Sequence, residues 1–375
     1  MQNKELKFIN GKFRIMQIAD TQESAKVSID TIRFIAAAIE REKPDLVIFT
    51  GDQIKGYSSS FHGNNGAKNV KRVIKELIAP LEMRGVPFAM TFGNHDGDSA
   101  LSNVEQFEIY KESPMFVYAE GVNDEDPATY YLEVKNDSDE VKRLIYLFDS
   151  HAKAENGGYS AVLPYQLEWY RTVRDSYESP LPSIAFQHIP TPEYFNVIKR
   201  VKRFSSGSVR AYGNHKNEWY VLDRHNRTLR DFMGETPAAP FENSGEIDAF
   251  LEKKEVEGLF VGHDHNNSLV ADYKGIKLGY TQGCGFNVYG PGYKRGVRIL
   301  DLDENGGFET KTVIYSEIFD KSDVSNKAKF ALYSYAPTSV SAVVTAVKEA
   351  AIVALSVGGV AFAVKMIKKN KKKKK

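Results

Sequence analysis

Cysteine occurs once in 375 residues, at Cys284, which excludes an internal disulfide framework and a thiolate metal cluster. Any metal here must be held by His, Asp, Asn or Gln. Net charge is nearly absent too: 50 Lys+Arg against 49 Asp+Glu leave +1, too little to grip long nucleic acid through bulk charge. Partners must be recognised locally. No apolar run of signal-peptide length precedes Asp20, so the expected setting is a reducing cytoplasm. What is present, 42% hydrophobic and 26% charged residues, is ample for one large domain or two ordinary ones.

Short apolar runs alternate with helix-like segments up to about residue 320, the pattern of an α/β domain. Strands are predicted at Phe13 to Ala19, Leu46 to Thr50 and Val86 to Thr91, with helices over Ser28 to Arg41 and Lys68 to Glu82. Further strands read at Tyr130 to Val134, Leu144 to Phe148 and Ser183 to Phe186, the last preceded by a helix from Pro164 to Tyr177. After a polar region, Lys199 to Pro240, come closely spaced strands at Gly258 to Val261, Ser268 to Tyr273, Ile276 to Tyr280, Gly296 to Leu302 and Glu309 to Tyr315. This order predicts βαβ crossovers early and antiparallel pairing late, in two sheets packed face to face with helices outside. Ser205 to Arg230 carries the least pattern and reads as a surface excursion.

Five polar signatures fall directly after predicted strands: Ala19-Asp20-Thr21-Gln22, Gly51-Asp52-Gln53, Gly93-Asn94-His95-Asp96, Gln187-His188-Ile189-Pro190 and Gly262-His263-Asp264-His265. Carboxyl ends of strands converge on one crevice in open α/β sheets, so these residues form one candidate site. Carboxylates can bridge two cations while imidazoles and an amide oxygen complete each shell. Each piece has a plainer reading, as a helix cap, a turn or a polar strand end. Their conjunction does not.

In this order the motifs resemble the calcineurin-like metallophosphoesterase superfamily, over roughly Phe13 to Tyr315. A closer likeness is to the small plant purple-acid-phosphatase-like proteins and their fungal relatives. It rests on Gln187-His188-Ile189-Pro190-Thr191-Pro192-Glu193-Tyr194, Glu242-Asn243-Ser244-Gly245, Gly285-Phe286-Asn287-Val288-Tyr289-Gly290 and Arg295-Gly296-Val297-Arg298. The resemblance implies a four-layer αββα sandwich of two mixed sheets, set as a catalytic domain over residues 1–320; the sequence itself adds a linker at 321–338 and an apolar C-terminal helix at 339–375. It implies two divalent metal ions, Mn, Fe or Zn, with Asp52 bridging, Asp20 and His265 on one and Asn94, His188 and His263 on the other. Gln22 stands where the family usually has His, either as a weaker ligand of the first metal or as a hydrogen-bonding neighbour. Lys55 replaces the tyrosine of the purple enzymes, so an iron–tyrosinate chromophore is not expected.

By the same resemblance, His95 is the proton donor, oriented by Asp96, and the reaction is hydrolysis of a phosphomonoester by a metal-bridging hydroxide. The alternatives are a phosphodiesterase or nucleotide hydrolase, and a non-catalytic scaffold on the same fold. His151 reads as either a crevice residue or a solvated loop residue, and Arg295 and Tyr289 as mouth or packing residues. His62, His215 and His225 read as surface groups.

Ala350 to Val364 is free of charge, and seven lysines lie among the last eight residues. The run is shorter than the roughly 20 residues of a spanning helix. Ala350, Ala354 and Gly358 make a small-residue face suited to close helix contact, and hence to self-association. The lysines suit anionic head groups. The expectation is a cytoplasmic enzyme associated with a membrane through 339–375, the alternative being a helix docked on the protein body.

Overall fold

The computed structural model describes residues 2–335, except residue 204 and residues 224–230. Leu46–Thr50, the run LVIFT, is buried at every position, as a strand covered on both faces must be. It lies within a five-stranded sheet ordered Phe308–Ile314, Gly296–Asp303, Lys12–Ile18, Leu46–Thr50, Phe88–Thr91. The last three strands are parallel, and helices Ile29–Glu42 and Gly66–Glu82 make the crossovers between them. In the first helix Ser28 accepts from the Thr31 amide at 3.5 Å, Lys43 ends the last turn at φ 50°, and Phe34, Ile35, Ala38 and Ile39 form the buried stripe.

The second sheet has eight strands, ordered Leu6–Lys7, Tyr130–Lys135, Val141–Leu147, Ser183–Phe186, Val256–Val261, Ile276–Tyr280, Asn267–Tyr273, Phe232–Met233. Its centre is parallel from Val141–Leu147 to Ile276–Tyr280; Asn267–Tyr273 then returns antiparallel. Late pairing is therefore mixed rather than wholly antiparallel. One core joins Ile15, Phe49 and Ile299 to Ile145, Leu147, Phe186 and Phe260, so the sheets face each other. On the outer side of the larger sheet, Tyr146 and Phe148 pack against Leu167 and Tyr170 of helix Pro164–Asp175 and against Phe250 of helix Glu246–Leu251. The result is a mixed α/β fold of four layers.

Three features differ from expectation. Helix Asn103–Lys111 has a Ser102/Glu105 capping box but a weak apolar stripe, which hid it in the sequence. The unpatterned stretch contributes Val209–Arg210 and Trp219–Leu222 to a small antiparallel sheet with Ile198–Val201, whose strands are too short for alternation to register. Within the expected linker, helix Lys327–Tyr335 packs Phe330 against Tyr293, with ring centroids 4.5 Å apart. The apolar, lysine-ended segment 339–375 lies outside the described residues, and so does His225.

Candidate metal centre

Five strands end within one crevice, and the backbone there is bent into conformations that side chains rarely adopt. Asp20, Gln22, Asp52 and His263 have φ of 54°, 34°, 53° and 71°. Such strain persists only where surrounding structure over-determines it, and it clusters at functional sites. Gly51, at φ 86°, lets the strand end turn: a Cβ there would lie 2.6 Å from His188 Nδ1 and 2.7 Å from Gly93 Cα.

The turns bring Asp20, Asp52 and His265 together, with ligand atoms within 4.8 Å of one another. His265 Nε2 lies 3.2 Å from Asp20 Oδ1, and its Nδ1 lies 2.8 Å from the Tyr289 carbonyl oxygen. On the other side of Asp52, His188 Nε2 is 3.1 Å from Asn94 Oδ1, 3.1 Å from His263 Nδ1 and 3.4 Å from Asp52 Oδ2. His188 Nδ1 faces the Thr50 carbonyl oxygen at 2.9 Å. Gln22 Nε2 donates to Asp52 Oδ2 at 2.6 Å and lies 3.4 Å from His265 Nε2. All seven residues read as metal ligands therefore surround one small volume.

The donor chemistry suits cations. A carbonyl fixes each Nδ1 as the proton-bearing nitrogen, so in neutral His188 and His265 the Nε2 lone pairs point at carboxylate and amide oxygens. Lone pairs converging in a buried space call for positive charge between them. Asp20 Oδ1 and His263 Nε2 are also buried without a hydrogen-bond partner among the described residues. Burial would push the Asp52 carboxyl up, but the His188 and His95 charges reverse this and hold it below the usual range. Burial opposes protonation of His188, Asp52 outweighs it, and the His188 pKa rises to about 10. Burial and the His188 charge keep His263 well below its ordinary value.

The orienting role assigned to Asp96 is corrected by its contacts. Its buried carboxylate accepts from the backbone amides of Asp52 and Gly93, each at 2.8 Å, and of Ile54 at 3.0 Å, and so ties two strand ends together. Burial and Asp52 push its carboxyl upward, against those amides. His95 is oriented instead by Asp98, with Nδ1 2.9 Å from Oδ2, while its backbone amide donates to Asp52 Oδ1 at 2.8 Å. The signal for Asp98 was an acid three residues on, within one turn. The His95 side chain is 33% exposed, which leaves it room at the mouth.

Of the undecided residues, Tyr289 stacks on His265 with ring centroids 4.1 Å apart and an interplanar angle of 5°, and donates its hydroxyl to Glu235 at 3.2 Å. Arg295 is fully buried and donates to the carbonyls of Gly285 and Val288, so it serves packing. His151 is half-buried, 3.3 Å from the Tyr165 hydroxyl. His62 is exposed, and His215 packs on Phe195 with ring centroids 4.1 Å apart and planes tilted by 31°.

Fold and site together define a calcineurin-like phosphoesterase, and the chain belongs to that family: the family model matches residues 13–267. The dimetal phosphoesterase fold implies divalent metal ions. In sequence the chain is 25% identical over 353 residues to "Probable inactive purple acid phosphatase 29" of Arabidopsis thaliana, covering 81% of this chain and 80% of that one. It is 28% identical over 330 residues to "Phosphatase DCR2" of Saccharomyces cerevisiae, covering 79% of this chain and 52% of that protein. Among solved structures, a dimetal phosphatase from Danio rerio aligns at TM-score 0.49 with 13% identity, over 81% of this chain and 99% of that one. Purple acid phosphatase PPD1 from yellow lupin aligns at 0.48 with 14% identity, over 82% of this chain and 52% of that one.

Proposed function

We propose that the protein is a dinuclear-metal-dependent phosphomonoesterase. The observation that carries this reading is the pair of buried donor clusters on either side of Asp52, each with an imidazole held by a backbone carbonyl. Asp20 and His265, with Gln22 beside them, would hold one divalent ion, and Asn94, His188 and His263 the other, with Asp52 shared. Bound there, divalent ions polarise phosphoryl oxygens and bring the pKa of water down toward neutrality. His95 stands at the mouth and delivers a proton from Nε2 to the leaving oxygen. Asp98 fixes its ring through Nδ1. Asp96 holds the Asp52 and Gly93 turns so that ligands and proton donor keep their spacing.

The test is hydrolysis of p-nitrophenyl phosphate against bis(p-nitrophenyl) phosphate by the full chain with added Mn²⁺, Zn²⁺ or Fe²⁺. Faster release from the monoester supports the reading; faster release from the diester replaces it with a phosphodiesterase. Gln22 favours a second reading, a metal-binding scaffold without turnover, because its amide donates to Asp52 where an imidazole would face the cation. Tight metal binding with neither ester hydrolysed would select it.

We further propose a cytoplasmic setting, with membrane association through 339–375. No helix among the described residues is long and apolar enough to cross a membrane. Co-sedimentation of the full chain with phosphatidylserine vesicles, lost on deletion of 339–375, supports it; unchanged co-sedimentation refutes it.

A further inference from the structure

We propose that an aromatic subsite flanks the phosphate position, walled by Tyr57 on one side and by Tyr159, Phe241 and Tyr212 on the other, and that it takes a flat ring on the substrate's leaving group. The proposal rests on the phosphoesterase reading and names the substrate class for that site.

Two of the rings touch the centre and continue outward from it. Tyr57, 47% exposed, meets His95 with ring centroids 4.6 Å apart at 65°. Tyr159 meets His263 edge to face, 4.4 Å apart at 84°. Phe241, 38% exposed, lies in a slot that two glycines make: a Cβ would come 2.8 Å from its ring at Gly158 and 2.9 Å at Gly213. Tyr212, 43% exposed, precedes Gly213 and lies within electrostatic reach of Tyr159 and Asp264. The Asn214 amide donates to the Phe241 carbonyl at 3.0 Å and joins these two loops. Tyr212 follows strand Val209–Arg210 of the small three-stranded sheet, and Phe195 packs on Tyr220 of that sheet, centroids 5.2 Å apart.

Segments around positions 57, 212 and 241 thus place exposed rings, and Tyr159 a half-buried one, beside a polar, strained centre. Exposed aromatic surface of this kind marks a contact. Two sources supply such a ring, an aryl ester, as in a phosphotyrosyl group, and a nucleobase; the shared chemistry is a phosphate monoester with a flat ring on its leaving group.

The experiment compares the Mn²⁺-loaded full chain with the Phe241→Ala/Tyr212→Ala variant on phenyl phosphate, adenosine 5′-monophosphate and glycerol 2-phosphate. Ring stacking at two positions predicts that kcat/KM for the ring-bearing esters falls about 10-fold in the variant, while glycerol 2-phosphate changes less than about 2-fold. A larger loss on phenyl phosphate identifies the aryl source, and a larger loss on the nucleotide identifies the base. Equal losses on all three esters overturn the subsite. Binding of phenylphosphonate against methylphosphonate, measured by calorimetry, reads the subsite without turnover: wild type prefers the phenyl compound and the variant loses that preference. Should no ester be hydrolysed, the phosphoesterase reading fails, while equal affinity for the two phosphonates overturns the subsite alone. Phe241→Leu, which keeps bulk without the flat ring, covers the case of a double variant that does not fold, with the same loss of phenyl preference expected.

Discussion

The His188 side and the His265 side of Asp52 are built from different donors. The first offers two imidazoles and an amide oxygen, His188, His263 and Asn94; the second offers a carboxylate, one imidazole and the Gln22 amide. Their supports differ as well. Behind His188, the Gln187 amide donates to buried Glu246 at 3.3 Å; behind His265, Tyr289 stacks on the ring and reaches Glu235. Each side carries one amide, but Gln22 turns its amide nitrogen to Asp52, so the His265 side offers fewer donors to a cation and is expected to bind it less tightly. One bridging carboxylate can thus serve two cations of unequal affinity.

The largest effect is expected from removing the divider. Asp52→Ala should abolish metal-dependent turnover and bring metal content, read by elemental analysis, to background; two tightly bound ions in the variant would break the comparison. Next, His95→Ala should lower kcat by about 10²–10⁴-fold with both ions retained, which stopped-flow and metal analysis together would check. Smaller still, Gln22→His should strengthen the weaker side, tightening one of two calorimetric metal-binding steps by about 10-fold and leaving the other unchanged. If both steps move together, the halves are not separable. Asp98→Asn should cost about 10-fold in kcat with no change in either metal step, since its carboxylate meets the His95 ring rather than the candidate ligands.

The smallest effect concerns stability. Burial, with Glu193 nearby, pushes the Glu246 carboxyl up to about 8, while an unfolded glutamate titrates near 4.3. Between those values the native state binds the extra proton, so this residue drains stability as pH rises through that window. Glu246→Gln should therefore be closest to wild type near pH 4.5 and more stable by pH 9. Calorimetric Tm values at both pH values would show it, and a gap that narrows with rising pH would exclude it.

Much of the scaffold is legible in the sequence because burial is written as pattern. Leu46–Thr50 and Ser183–Phe186 end where their apolar runs end, and Ser28 announces the first helix. The candidate ligand residues are legible for a related reason: each follows a strand end, where convergence of the sheet brings distant residues together. Asp98 was missed because Asp96 stands closer in sequence to His95, and only the backbone shows Asp96 taken up by three amides. The small sheet was missed because its strands of two to four residues leave no period to detect.

The chain's own letters therefore settle which residues are apolar, where the strands stop and which oxygens and nitrogens wait at those stops. Folding alone decides which of them share a space: that Gln22 turns its amide to Asp52, that Tyr289 lies flat on His265, and that Phe241 slots between Gly158 and Gly213. The reason is one of range. Periodicity records a residue's neighbours within a few turns, whereas ligand geometry and ring contacts depend on atoms brought together from more than 200 positions apart, as Asp20 and His263 are.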